Sequence, residues 1–530
     1  MASRRLLKMM LLLLCVGLVN IALLMDRIFF TDNFGPPPKR PRSSSSKETE
    51  KRGWLDGILP LPQMFYGVME SDVLEPNILS FFPHLSPKNM SLLRPLLFTK
   101  TTGRKRKIAF GILVVKREKP YILQSLHSLL ANLEEHWRRE VVFIVMFAFI
   151  NTRTKLLINL MDQVLTTFAA DIQSGLIEVV AIPPKWYDFD FGSMQSTFKD
   201  SPERLRWGIK QNLDFVYLMS YGSKRAEYYM QLNDGTTSIP RYGRIIFNYL
   251  KFKEDKPWFV MHFSPSELTG RLYRSEDVKQ LTYTIALYYQ FKPVGWILVD
   301  DEFSRFCSPE YNRTQCFNAR NSHRIMVSPP VFHHIDPLSH STSQKLKDEK
   351  NYIYHKNPVN PPAILRTSMI QVLQHTAQAG YNSHEYMWFT EIGAGDYLNV
   401  EFAVPARIIG ILIISGVDPA PLGRFGPETV VSVRYHDGNR RNLGNFTVDG
   451  DFLAHLDGLE VSSLELLVTA QISHPVSVSY FDVDVIPGKA PTLLGGPSTR
   501  ATAGKTLRTQ TFIARAPSRN VVWRIVKLGG

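Results

Sequence analysis

The sequence predicts an α/β domain built on a mostly parallel sheet, followed by a β-sandwich. Three observations predict it. Between Ile108 and Leu232, apolar runs of strand length alternate with segments of helical period. Those runs are apolar on both faces, as strands covered by helices on two sides must be. From Asp396 to Val485 the pattern changes to short strand-like runs between Gly, Pro and Asp turns.

The N-terminus stands apart from the fold. Arg4, Arg5 and Lys8 precede an apolar run from Met9 to Met25, closed by Asp26-Arg27. Seventeen residues is the lower limit for crossing a bilayer. A cleaved signal peptide needs small residues after its apolar core, and Leu23 to Arg27 offers none. The expectation is therefore a retained transmembrane helix over 9–25, with 1–8 cytosolic and the bulk lumenal, since the basic residues precede the span. GPPPKRPRSSSSKETEKR, Gly35 to Arg52, has too little apolar surface to fold, so 26–100 is expected as a stem.

The α/β domain is expected over 101–365. IAFGILVV (from Ile108) and VVFIVMFAFI (from Val141) read as buried strands, with a helix between them opened by Pro120. TKLLINLMDQVLTTFAADI reads as amphipathic helix, and LIEVVAIPP as a strand ended by two prolines. In SPERLRWGIKQNLDFVYLMSYG, Ser201 is the cap, Pro202 the first helical residue and Glu203 a first-turn acid. The strand EYYMQL then runs into Asn233-Asp234-Gly235. That triplet is good turn chemistry, but strand ends are also where ligands bind in such sheets. The sandwich is expected over 366–487 and a basic, disordered tail over 488–530.

Three sequons, at Asn89, Asn312 and Asn445, fit a lumenal chain. Cys15 falls in the span. Cys307 and Cys316 are either two thiols or, as an oxidising compartment favours, one disulfide. The net charge of +14 suggests nucleic acid until it is located. Much of it lies in the tail, where eight Lys or Arg stand with no acid. No aromatic platform or recognition helix accompanies it or the Arg104–Lys107 cluster, so nucleic-acid binding is not expected.

Long ordered blocks then carry a resemblance: VVKREKPYILQSLHSLL, SGLIEVVAIPP, KDSPERLRWGIKQNLDF, EYYMQL, FKPVGWIL, NPPAILRTS and GAGDYLNVEF. From about Ile108 to Val485 the chain resembles the alpha-1,3-mannosyl-glycoprotein 4-beta-N-acetylglucosaminyltransferases. The resemblance implies a Golgi type II membrane protein, with a GT-A-like domain and a lectin-like sandwich. It also implies UDP-GlcNAc as donor, Mn2+ or Mg2+ as cofactor, and an N-glycan acceptor or other Golgi glycosyltransferases as partners. A hard cation held against a diphosphate takes carboxylate oxygens.

The resemblance also locates the departures. The family pattern at the strand end is similar to Glu-Asp-Asp, where this chain has Asn233, Asp234 and Gly235. A family Glu is replaced by His262, a family Asp by Gly295, and acids after the second strand by Phe149 and Asn151. A metal-completing histidine is kept as His334, so Asp234 and His334 are the metal candidates. Arg204, Arg206, Lys210, Asn212, Asn233 and Asp234 are candidates for the nucleotide, against a solvated helix face for the first four. Asp300 and Asp301 either compensate for the lost acids or end a strand in a solvated turn. No catalytic residue is assigned. The expectation is weakened or lost transfer with a binding or regulatory role, the alternative being an active 4-beta-N-acetylglucosaminyltransferase with an atypical metal site. A third reading, a lectin using Trp388, Asp396 and Tyr397, is weighed against these residues being core and turn.

Overall fold

A computed structural model describes residues 73–486, apart from 86, 102, 118, 189–197, 199, 267, 336–359, 384–385 and 418–422. The expected span and the basic tail lie outside the described residues. Among the described residues, no helix is long and apolar enough to cross a membrane.

The first part runs β1 (Leu96–Leu97), β2 (Arg106–Val114), α1 (Ile122–Ala131), β3 (Val141–Phe147), α2 (Lys155–Thr167), α3 (Ala169–Gln173), β4 (Ile177–Ala181), α4 (Pro202–Ser223) and β5 (Ala226–Asn233). It continues through β6 (Thr236–Ser238), α5 (Tyr242–Phe252), β7 (Val260–His262), β8 (Arg271–Arg274), α6 (Ser275–Tyr288), α7 (Val294–Phe306), α8 (Arg313–Ser322), β9 (Arg324–Met326) and β10 (Phe332–His334). Eight strands form one sheet in the order β1-β4-β3-β2-β5-β8-β7-β9. The four central strands, β4, β3, β2 and β5, are parallel.

Alternate side chains of each central strand enter opposite cores. Phe110, Ile112, Phe143 and Val145 join the side chains of α1 and α2 on one face. Ala109, Leu113, Val142 and Ile144 meet α4, α6 and α7 on the other. Covered faces explain the unbroken apolar runs. Helix α4 begins as its sequence requires, with the Ser201 side chain accepting from the Arg204 N–H and Pro202 in the first turn.

Strand order reverses at β2. The chain leaves β2 for β3 on one side and returns from β4 to β5 on the other. A crevice therefore opens between the carboxyl ends of β2 and β5, the switch point at which open α/β sheets bind ligands.

Three expectations are corrected here. The end of the expected stem is folded: Val73, Leu74, Ile78 and Phe82 are buried, and Phe82 packs edge-on against Trp186 and Tyr289. WILVDDEF does not end a strand, because it lies in α7, where Asp301 and Glu302 are buried. The sandwich begins before 366, since β11 (Ala363–Thr367) pairs with β14 (Tyr397–Ser415).

The second part adds β12 (Ile370–Gln371), α9 (Ala377–Ser383), β13 (Met387–Thr390), β15 (Thr429–Tyr435), β16 (Arg440–Asn445), β17 (Asp451–His455), β18 (Glu460–Val468) and β19 (Val476–Val485). Strand β14 joins both layers of the sandwich. Its first half pairs with β11 and β18, and its second half with β17 and β19, after a register shift between Glu401 and Ala406.

The two parts share a core. Leu412 and Ile414 of β14 and Tyr480 of β19 belong to the same apolar cluster as α5. A Cβ at Gly410 would come within 2.8 Å of the Phe252 ring, so glycine lets β14 lie against α5. Charges surround this dock: Arg241 pairs with Asp449 at 2.6 Å, Arg244 with Asp451 at 3.2 Å, and both Lys253 and Lys256 with Asp484. Arg241 itself adopts a left-handed φ of 58°, a strained backbone for a residue with a side chain.

Candidate functional site

The crevice is built by two loops. After β2 comes Lys116-Arg117-Glu118-Lys119, and after β5 the turn Asp234-Gly235 leads into β6. The Ser125 hydroxyl of α1 donates to the Asp234 carbonyl at 2.8 Å and fixes that turn. The Asn233 N–H donates to the Thr269 hydroxyl at 3.1 Å, and Thr269 also meets Thr236 at 3.1 Å. Strand β10 pairs with β6 so that His334 lies opposite Thr236.

Asp234 is 1% exposed and turned inward. Arg117 holds it from two sides. Nε donates to Oδ2 at 3.2 Å, and Nη2 stands 2.9 Å from Oδ1 as an ion pair off hydrogen-bond alignment. Burial pushes the Asp234 carboxyl above the usual carboxylate range, against the pull of Arg117, the Val115 N–H and His334. A Cβ at Gly235 would stand 2.9 Å from His334 Nε2, so the imidazole fills the space above the glycine.

The structure thus brings Asp234 and His334 together, with Asn233 beside them. It does not bring the helix α4 candidates to the same point. Arg204 is exposed and pairs with Asp200 at 3.2 Å, and Arg206 is exposed. Lys210 donates to the Ala148 carbonyl at 2.8 Å and to Asp214 at 2.6 Å. Asn212 is fully buried and donates to the Tyr289 and Lys292 carbonyls, both at 2.8 Å. These two residues support the fold. Asp300 and Asp301 do not compensate: Asp300 pairs with Lys292 at 2.6 Å, while Asp301 takes Arg305 at 2.6 Å and Thr284 at 2.8 Å.

His262 belongs to a different cluster, among Arg271, Arg320, Arg324 and Glu302. Its Nε2 accepts from Arg324 Nε at 3.2 Å, which requires the neutral imidazole. Burial, then the three guanidiniums, push its pKa well below the ordinary value.

A hard divalent cation takes about six oxygen ligands. Among the described residues, the strand end offers Asp234, already engaged by a guanidinium, and the imidazole of His334. No group of three His, Cys, Asp or Glu able to hold a metal occurs among the described residues. The residues do not fit the ion.

In the sandwich, Asp396 accepts from Ser368 Oγ at 2.6 Å and from the Gly393 N–H at 2.7 Å, which makes it a turn residue. Trp388 is half-buried in β13, and Tyr397 is 38% exposed. A separate open cavity of about 540 Å³ is lined by Thr390, Glu391, Gln471, Ser473 and His474. Of the sequons, Asn89 lies in a short 3-10 helix, Asn312 caps α8 and Asn445 ends β16; the last two are exposed. Cys307 and Cys316 have Cα atoms 4.7 Å apart and sulfurs at bonding distance.

The fold defines a two-part protein: an open α/β sheet whose strand order reverses at β2, joined to a β-sandwich. A family model described as the MGAT4 conserved region matches residues 74–351, just over half of the 530, and the chain belongs to that family. It is 33% identical over 363 residues to alpha-1,3-mannosyl-glycoprotein 4-beta-N-acetylglucosaminyltransferase A of Gallus gallus, covering 68% of this chain and 67% of that one. The B enzyme of Homo sapiens is 30% identical over 346 residues, 64% of this chain and 62% of that one. The chain thus matches about two thirds of the length of these curated relatives or slightly less. Among solved structures, the galactose complex of a family 32 carbohydrate-binding module from C. perfringens NanJ is 12% identical and covers 23% of this chain and 92% of that one, with a TM-score of 0.19. A Streptococcus pneumoniae fucose-binding module is 9% identical and covers 24% and 98%, with a TM-score of 0.21. The sandwich assignment rests on the strand pairing above.

Proposed function

We propose that this chain is a Golgi, membrane-anchored, type II member of its family that keeps a nucleotide-sugar crevice of GT-A type but turns over weakly or not at all. It acts by binding an N-glycan acceptor or another Golgi glycosyltransferase, and so modulates branching. The observation that carries this reading is Asp234. The one acid kept from the family pattern at the strand end is neutralised by Arg117, and its neighbours are Asn233 and Gly235. Transfer from UDP-GlcNAc by the family's metal-assisted route needs charge held against the departing diphosphate and a base for the acceptor hydroxyl. Among the described residues, no His, Cys, Asp or Glu joins Asp234 and His334 in a group of three that could hold a metal.

The test supplies the full chain in detergent with UDP-GlcNAc, Mn2+ and a biantennary N-glycan. The expected result is no 4-linked product, or product at less than about a hundredth of an ordinary transferase rate, since a missing general base alone is worth ~10²–10⁴. Product at ordinary rates overturns the reading in favour of an active transferase with an atypical site. Co-precipitation of other N-glycan transferases from Golgi membranes is expected of the binding role alone.

A further inference from the structure

Among the described residues, the polar contacts of the Arg117 side chain all go to Asp234. We propose that Arg117, anchored by Asp234, is itself the phosphate-binding group of the crevice, so that a nucleoside diphosphate binds there without a divalent cation. This rests on the reading of the crevice as a nucleotide-sugar site and goes beyond it, because it names the group that takes the place of the ion.

Four observations carry it. The pair sits at the switch point, with Arg117 from the end of β2 and Asp234 from the end of β5. A guanidinium carries five N–H donors in a rigid fork. Nε donates to Asp234 and Nη2 lies against it as an ion pair out of hydrogen-bond alignment, while among the described residues Nη1 makes no hydrogen bond and is open to a ligand. Exposure is unequal: the Arg117 side chain is 27% exposed and Asp234 is 1% exposed, so the cation faces the crevice and the anion lies behind it. Finally, Lys116 and Lys119 of the same loop are exposed, so the four positions Lys116-Arg117-Glu118-Lys119 carry three cations to one acid. A buried carboxylate that orients a guanidinium, backed by lysines, suits the planar, bidentate recognition of phosphate oxygens.

The chemistry predicts an order of ligands. UDP should bind more tightly than UMP, and UMP more tightly than uridine, because affinity follows the phosphates. Affinity should fall with added salt, as for any exposed charge contact.

The test is calorimetric titration of UDP into the full chain in detergent, in EDTA and again in Mn2+. The expected result is binding in EDTA that Mn2+ improves by less than about threefold. Arg117→Met should weaken UDP about tenfold to a hundredfold, the range of a charge-assisted hydrogen bond, while Arg117→Lys should lose less. Arg117→Met alone strands a buried carboxylate, so the variant Arg117→Met/Asp234→Asn, which removes both charges, is measured beside it with a thermal melt. A folded double variant that has lost UDP supports the proposal. Binding only in Mn2+ overturns the proposal and leaves the nucleotide crevice standing. Binding in EDTA that neither variant weakens also overturns it. No UDP binding under either condition overturns the crevice reading as well.

Discussion

Arg244 tests whether the two parts of the chain are one folding unit. It stands in α5, is 4% exposed, and enters the sandwich. There Nε pairs with Asp451 at 3.2 Å, Nη2 donates to the Ser415 carbonyl at 2.8 Å, and Nη1 donates to the Asp449 carbonyl. Two unit charges at that separation attract by about 5 kcal/mol at an effective dielectric of ~20. Releasing Arg244 from burial recovers part of this, but Arg244→Met leaves Asp451 buried and two carbonyls short of a donor. The net loss expected is about 3–5 kcal/mol. The measurement is urea unfolding of the full chain, followed by tryptophan fluorescence and far-ultraviolet circular dichroism. The parent chain should unfold 73–486 in one transition, and the variant should shift or split it. The pH adds a sign. Burial already raises the Asp451 carboxyl against the pull of Arg244, and removing Arg244 raises it further. A folded-state pKa above the unfolded one means stability that is present at low pH and lost as pH rises through the folded value. The deficit of Arg244→Met should therefore grow as pH rises above the ordinary carboxylate value of about 4. A loss under about 1 kcal/mol, with unchanged and coincident transitions, would refute the claim of a shared unit.

Other outcomes follow from the same geometry. His262 is neutral when folded and free to take a proton when unfolded, so its stability contribution is present above about pH 6.5 and lost as pH falls below it, by up to about 1.4 kcal/mol per unit; His262→Gln should flatten the acid limb of a stability–pH curve, and an unchanged limb refutes this. Asn233→Glu/Gly235→Asp should raise Mn2+ binding measured by electron paramagnetic resonance, with His334 displaced by the new side chain; no gain would place the deficit elsewhere than at the strand end. Phe252 is fully buried against Gly410, and Phe252→Ala should cost about 3–5 kcal/mol in the same urea assay. Peptide mapping of the full chain extracted in detergent from mammalian cells should find Cys307 and Cys316 joined before reduction; two alkylated thiols would show the bond does not form.

Much of the sheet is legible in the chain because its signals are local. The runs of β2 and β3 are apolar on both faces, and Ser201-Pro202 starts α4 with its own cap. What escapes is fixed by partners distant in sequence. Asp301 and Glu302 look like a solvated turn, yet α7 buries them against Arg305, Thr284, Arg271 and Arg320. Phe82 belongs to the folded domain only because Trp186 and Tyr289 wait for it. Arg117 is hidden among lysines in a loop. Its signal is position, one short step beyond the first parallel strand, and its meaning appears only once β5 is placed beside β2. Lys210 and Asn212 show the converse: polar residues in the right helix that serve carbonyls of the fold rather than a ligand.

Asp234 and Arg244 stand ten positions apart in sequence, and the stretch between them holds β6 and the strained Arg241. An insertion of one residue there, harmless in most surface connections, would shift the crevice anion and rotate the docking guanidinium about the helix axis together. That short tract ties the geometry of the strand end to that of the dock.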